Sequence, residues 1–154
     1  MNMFDSFDIS ASGLTAQRLR MDVIAENVAN AETTRTADGT PYRRQVVMFE
    51  QQGKQTPFSH VLNDKIDHLN RGIDQYTGSG VKVTGVFDDT WDEMVMVYEP
   101  DHPDADENGY VMYPNVNIIQ EMTDLIDATR SYEANTTAFN ASKTMAMKGL
   151  DMVK

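Results

Sequence analysis

The chain has 154 residues, with 13 Lys and Arg against 24 Asp and Glu, a net charge of −11, three histidines and no cysteine. A surplus of carboxylates argues against nucleic acid, whose binders neutralise phosphates with Lys and Arg, and against an anionic membrane surface. Disulfides and thiolate metal sites are excluded, a His-rich metal site is disfavoured, and no apolar run approaches the roughly 18 residues of a membrane span.

The N-terminus, "MNMFDSFDIS", lacks the basic and apolar regions of a cleaved secretory signal. It predicts a chain that stays in the cytosol or leaves by a route needing no such signal. Eleven methionines suit irregular gaps and adaptable interfaces.

A first helix is expected from Asp5, which can act as N-cap with Asp8 three residues on. Phe4 and Ile9 have the spacing of a hydrophobic staple. Phe7, Ala11, Leu14, Met21, Ala25 and Val28 follow a heptad rhythm, with Arg18 in one slot. Ile9, Ala16, Leu19 and Val23 form a second band beside it. A surface helix ordinarily has one apolar stripe, so two bands predict contact on more than one side. The helix then meets "VANAETTRTADGTPYRRQ". Asn30 can take the left-handed conformation that ends a helix. Thr33, Thr34 and Thr36 favour extended chain, and Pro41 biases Thr40 the same way.

Three stretches read as strands: Tyr42–Gln51, Gly80–Asp89 and Asp92–Pro100, all rich in Val, Phe and Tyr. Between the first two, Thr56-Pro57 can open a short helix with Phe58, Leu62, Ile66, Leu69 and Ile73 on one side. "YTGSG" closes it. The middle is thus a small β-rich unit whose ends lie near Thr33 and Pro114.

Asp101–Asn115, "DHPDADENGYVMYPN", is the best candidate for site chemistry. Asp104, Asp106, Asn108 and Gly109 fit the opening of an EF-hand loop, but Asn115 stands where a bidentate Glu is required. The competing reading is an Asx-rich turn with Gly109 at positive φ, and it is the favoured one. Asp88–Glu107 holds nine acids and no Lys or Arg, which suits a solvated surface or a face for a basic partner. "GSGVKVTG" lacks the Lys-Ser/Thr ending of a phosphate loop. Asp67, His68 and either Ser59 or Ser79 could be imagined as a triad, but nothing fixes their geometry. His102 beside Pro103 reads as a turn residue. No catalytic, cofactor or metal residue is assigned, and no enzymatic activity is expected.

The last element starts after Pro114, with Asn117 and Gln120 at capping-box spacing. Ile118, Met122, Leu125, Thr129, Tyr132, Thr136, Phe139, Lys143, Ala146, Leu150 and Val153 keep the heptad rhythm to the end. About 37 helical residues span roughly 55 Å, against about 11–12 for an average globular helix. Such length favours packing between subunits. An ordinary two-helix hairpin folded on the middle segment is the alternative.

"LTAQRLRMDVIAENVANAETTRTADGTPYRRQ" resembles the N-terminal signature of the flagellar basal-body rod proteins: an Ala-Asn-x-x-Thr segment after a long helix, here Ala29, Asn30 and Thr33. The continuation through Gly39, Pro41 and Tyr42 is particular to the proximal-rod type. "YEPDHPDADENGYVMYPNVNIIQEM" and "ATRSYEANTTAFNASKTM" resemble the family's C-terminal half. The resemblance implies a structural subunit of the proximal rod, the drive shaft, with no enzymatic activity and no cofactor. It implies export through the flagellar type III apparatus without a cleaved signal, and a place in the basal body outside the cytoplasmic membrane. Partners implied are the chain itself, other rod proteins and the export apparatus, with no nucleic acid and no small-molecule substrate. The chain after Asn30 is implied to leave the inner helix and extend along neighbouring subunits.

The expected fold is therefore α+β: long terminal helices pairing as an antiparallel coiled-coil-like hairpin around a small β-rich middle. The divisions are 1–33, 34–113 with a variable insertion at about 52–80, and 114–154. The expected assembly interface is Phe7, Leu14, Met21 and Val28 on the first helix. On the last helix it is Ile118, Met122, Leu125, Tyr132, Phe139 and Leu150. A different class of function, a monomeric helical-hairpin adaptor binding a basic partner through the acidic loop 88–107, is the alternative.

Overall fold

The computed structural model describes residues 3–52 and 80–152. Helix α1 runs Met3–Ala29 and helix α2 runs Ile118–Asp151. Between them lie strands β1 (Gln45–Gln51), β2 (Val81–Asp88), β3 (Val95–Tyr98) and β4 (Tyr110–Tyr113). The fold is the expected α+β hairpin. The predicted helix around Phe58–Ile73, together with Ser59, His60, Asp67, His68 and Ser79, lies outside the described residues.

The two helices pack antiparallel along most of α1. Phe7 meets Phe139 edge-to-face with ring centroids 5.2 Å apart. Further along, Arg20 pairs with Asp124 at 3.4 Å, and Asn27 reaches Glu121 at 3.0 Å. Small residues line part of the seam. Ala128 is fully buried, and a Cβ added at Gly13 would sit 3.1 Å from the Asn135 amide. Thr129 and Thr136 occupy heptad slots with their hydroxyls donating back to the carbonyls of Leu125 and Tyr132.

The second band on α1 has its own partner. Ala16 and Val23 are buried, and Ser12, Ala16 and Leu19 line one cavity with Val81 and Val83 of β2. The Ser12 hydroxyl accepts from the Val81 N–H at 3.1 Å and donates to the Ile9 carbonyl. Both bands of α1 are thus used inside one chain, one on α2 and one on the β1–β2 sheet.

The strands form two separate antiparallel pairs. β1 pairs with β2 from Gln45 opposite Asp88 to Gln51 opposite Val81, with a bulge between Met48 and Phe49. β3 pairs with β4 from Val95 opposite Tyr113 to Tyr98 opposite Tyr110. Three expectations need correction. Asp5 is not the N-cap, since α1 already begins at Met3; it lies in the first turn, where a carboxylate still complements the helix dipole. β4 is a strand where none was expected. The segment after Asn30 does not run away from its helix. Thr36 N–H donates to the Thr40 carbonyl and Tyr42 N–H to the Thr33 carbonyl, so residues 33–42 close a loop through Gly39 at φ +78°. The chain returns to the end of α1.

Candidate assembly site

The loop returns the chain to a buried polar junction that joins α1, β1, the β2–β3 connection and the start of α2. Asn27, 1% exposed, is its centre. Its amide nitrogen donates to the Gln45 carbonyl at 2.9 Å and to Glu121 Oε2 at 3.0 Å. Its amide oxygen accepts from Tyr42 Oη and from the Gln45 N–H, both at 2.9 Å. An asparagine amide has two donors and two acceptor sites, so every one is used.

Glu121, fully buried, has its other oxygen on Arg44 Nε at 2.7 Å. Arg44 also pairs with Asp89 at 3.3 Å and Asp124 at 3.8 Å. Burial works against the Arg44 charge, but the hydrogen bonds and charges of Glu121 and Asp89 outweigh it and raise its pKa. The Trp91 backbone N–H holds the Asp89 carboxyl below its ordinary value; burial opposes this and Arg44 adds to it. The Tyr42 hydroxyl is raised, first by burial and then by the charges of Glu26, Asp88 and Glu121. Asn115 closes the far side: its oxygen accepts from the Arg44 N–H, and its nitrogen donates to the carbonyls of Asp89 and Asp92.

This explains Asn115 at the twelfth position of the calcium-loop match: it ties α2 to the β-rich unit. The acidic turn itself is an Asx turn. Asp106 Oδ1 accepts the N–H groups of Asn108 and Tyr110, with Gly109 at φ +81°. Asp104 takes the Thr34 hydroxyl and Arg35, and Glu99 takes the Tyr113 hydroxyl. His102 accepts the Asp104 N–H within the same turn. Several of the nine acids are therefore spent on the chain's own groups rather than offered to a basic partner.

The motif residues surround the junction. Ala29 is the last residue of α1 and is exposed. Asn30 bonds back to the Glu26 carbonyl and accepts the Thr33 hydroxyl. Gly39 and Pro41 shape the return loop, and Tyr42 docks on Asn27. The expected interface residues divide in two. Phe7 and Phe139 pack on each other inside the hairpin, and Leu14, Met21, Val28 and Leu125 are half-buried. Ile118, Met122, Tyr132 and Leu150 remain exposed, joined by Ile119 and Ile126. Asn27, Arg44 and Glu121 carry no mark of a site in the sequence, and Asn115 stands out there only as the misfit in the calcium-loop match. The one available signal is Asn27 beside Val28, a polar residue at the edge of an apolar stripe.

A pair of long helices locked at one end by a buried polar junction, with apolar side chains left outside, defines a structural assembly protein. Residues 7–35 match the family model described as "Flagella basal body rod protein". Residues 107–152 match the one described as "Flagellar basal body rod FlgEFG protein C-terminal". The chain is 45% identical over 158 residues to the flagellar basal-body rod protein FlgC of Bacillus subtilis, all of each chain being covered. It is 42% identical to that of Borreliella burgdorferi, covering 100% of this chain and 99% of the relative. To that of Salmonella typhimurium it is 38% identical, covering 99% and 98%. The chain belongs to the FlgC family of flagellar basal-body rod proteins. It is a structural rod protein and not an enzyme.

Proposed function

We propose that this chain builds the proximal part of the rod, joins copies of itself and other rod proteins through the outward faces of α1 and α2, and transmits torque along the shaft. The observation that supports this is the set of apolar side chains left exposed once the hairpin is complete: Ile118, Ile119, Met122 and Ile126 near the start of α2, and Met145 and Leu150 near its end. Ile118, Met122 and Ile126 recur every four residues and so share one face of the helix, and an apolar patch left at a surface marks an interaction site. The chain reaches the basal body unfolded, through the flagellar type III export apparatus, and takes its place outside the cytoplasmic membrane. No helix among the described residues is long and apolar enough to cross a membrane. The test is electron microscopy of basal bodies from cells lacking the chain. Rods should be missing or cut short and should return on complementation; complete rods in its absence would refute the reading.

A further inference from the structure

The two ends of α2 differ in a complementary way. At its start, a shallow, open cleft is lined by Asp92, Glu93, Val95, Ile118 and Ile119. Ile119 is 79% exposed and Val95 and Ile118 are also open to solvent. The rim carries two exposed carboxylates, and the whole 88–107 stretch has no Lys or Arg. At its far end, α2 outruns its partner helix among the described residues. α1 begins four residues before Phe7, so its wall ends about one turn beyond Phe139. Past that wall α2 is apolar on opposite sides: Met145 and Met152 on one, Met147 and Leu150 on the other, all exposed. Apolar side chains on two opposite sides exceed the single stripe of an ordinary surface helix. A Cβ added at Gly149 would meet nothing within 4 Å, so the described residues leave room there for a neighbour. Lys143 and Lys148 outnumber Asp151 in this segment, in a chain of net charge −11.

We infer that the last turns of α2 dock, head to tail, into the acidic-rimmed cleft at the start of α2 in a second copy of the chain. The inference deepens the rod-subunit reading and rests on it. The 34 residues of α2 separate the two surfaces by about 50 Å, so one molecule cannot fill its own cleft. A two-fold contact of cleft against cleft would set Asp92 and Glu93 against their own copies. Cleft against helix end instead brings Lys148 toward carboxylates and Met145 and Met152, on the same side of the helix, against Ile119 and Val95. Such a contact is heterologous, so each added copy offers a fresh cleft or a fresh helix end. Methionines suit it because they adapt to the surface they meet.

The chain has no cysteine of its own, which makes crosslinking clean. Full-length chain carrying both Glu93→Cys and Met145→Cys should give a ladder of dimers, trimers and longer species on oxidation at high concentration. A mixture of the two single variants should stop at the mixed dimer. Adding Lys148→Glu should lower the mixed-dimer yield severalfold, and Asp92→Lys on the other partner should restore it. A double variant that stays monomeric, or a Met145→Cys variant that gives a full yield of dimer by itself, would overturn the inference. If crosslinking fails while deletion still removes the rod, the subunit reading stands and only this contact falls.

Discussion

Asn27 and Glu121 lie 94 residues apart in sequence and 3.0 Å apart in space, both almost wholly buried. Their bond fixes where α1 stands against α2. A polar pair in a helix seam tolerates no slip, because any other register leaves a buried carboxylate without its donors. Glu121→Leu should destabilise the isolated chain by about 3 kcal/mol, since the Asn27 amide and Arg44 lose their partner. Asn27→Leu should cost a similar amount. Urea unfolding of each variant measures it; a loss under about 1 kcal/mol would show that the junction does not set the register.

The junction should also give the chain an acid limb. Asp89 has a lowered pKa when folded, so the unfolded state binds its proton more readily. Its contribution is complete above the ordinary carboxylate range and is lost as pH falls through the folded value. Asp89→Asn should therefore be less stable than the parent at pH 7, and the gap should narrow below about pH 4. Thermal unfolding across pH 3–7 reads this directly. A constant gap would mean that the Asp89 charge is not what Arg44 and the Trp91 N–H stabilise.

Two glycines separate conformational cost from crowding. Gly39 has φ +78° and open space around it, whereas Gly80 has φ +102° and an added Cβ there would collide with the Ser12 hydroxyl. Gly39→Ala should cost about 1–2 kcal/mol from backbone strain alone. Gly80→Ala should cost more, because Ser12 would have to release the Val81 N–H that anchors β2 to α1. Equal losses at the two positions would mean that the Ser12 anchor contributes little.

Much of the frame was legible in the sequence for local reasons. Asn117 caps α2 as its spacing suggests, accepting from the Ile119 and Gln120 N–H groups. The Asp106–Gly109 turn comes from Asx chemistry, and Phe7 and Phe139 both lie in apolar stripes. What escaped was non-local. Asn27, Glu121 and Asn115 look like solvent-facing polar residues until the partners that bury them are known, and those partners lie far along the chain. β4 escaped because its four residues continue an acidic turn with the spacing of a calcium loop. The closure of 33–42 escaped because threonines favour extended chain locally, while the Thr33–Tyr42 bond is made across the loop.

The two kinds of α2 position should separate folding from assembly. Met122 is 55% exposed, and Ile126, four residues on, shares its face. Phe139 instead packs on Phe7 of the same chain. Met122→Asp with Ile126→Asp should change the stability of the isolated chain by no more than about 0.5 kcal/mol per site, as for other surface changes. In the assembled rod the same carboxylates would sit unpaired in an apolar contact, at a cost of several kcal/mol in every copy, or would have to take up protons. The variant should be made and exported, keep its helicity by circular dichroism, and fail to enter the rod, leaving cells non-motile. Phe139→Asp should fail earlier, losing helicity and stability in the isolated chain, because it breaks the hairpin itself. If the Met122/Ile126 double variant swims normally with complete rods, this face of α2 is not a subunit contact, and the interface must be sought on α1 or the β-rich unit.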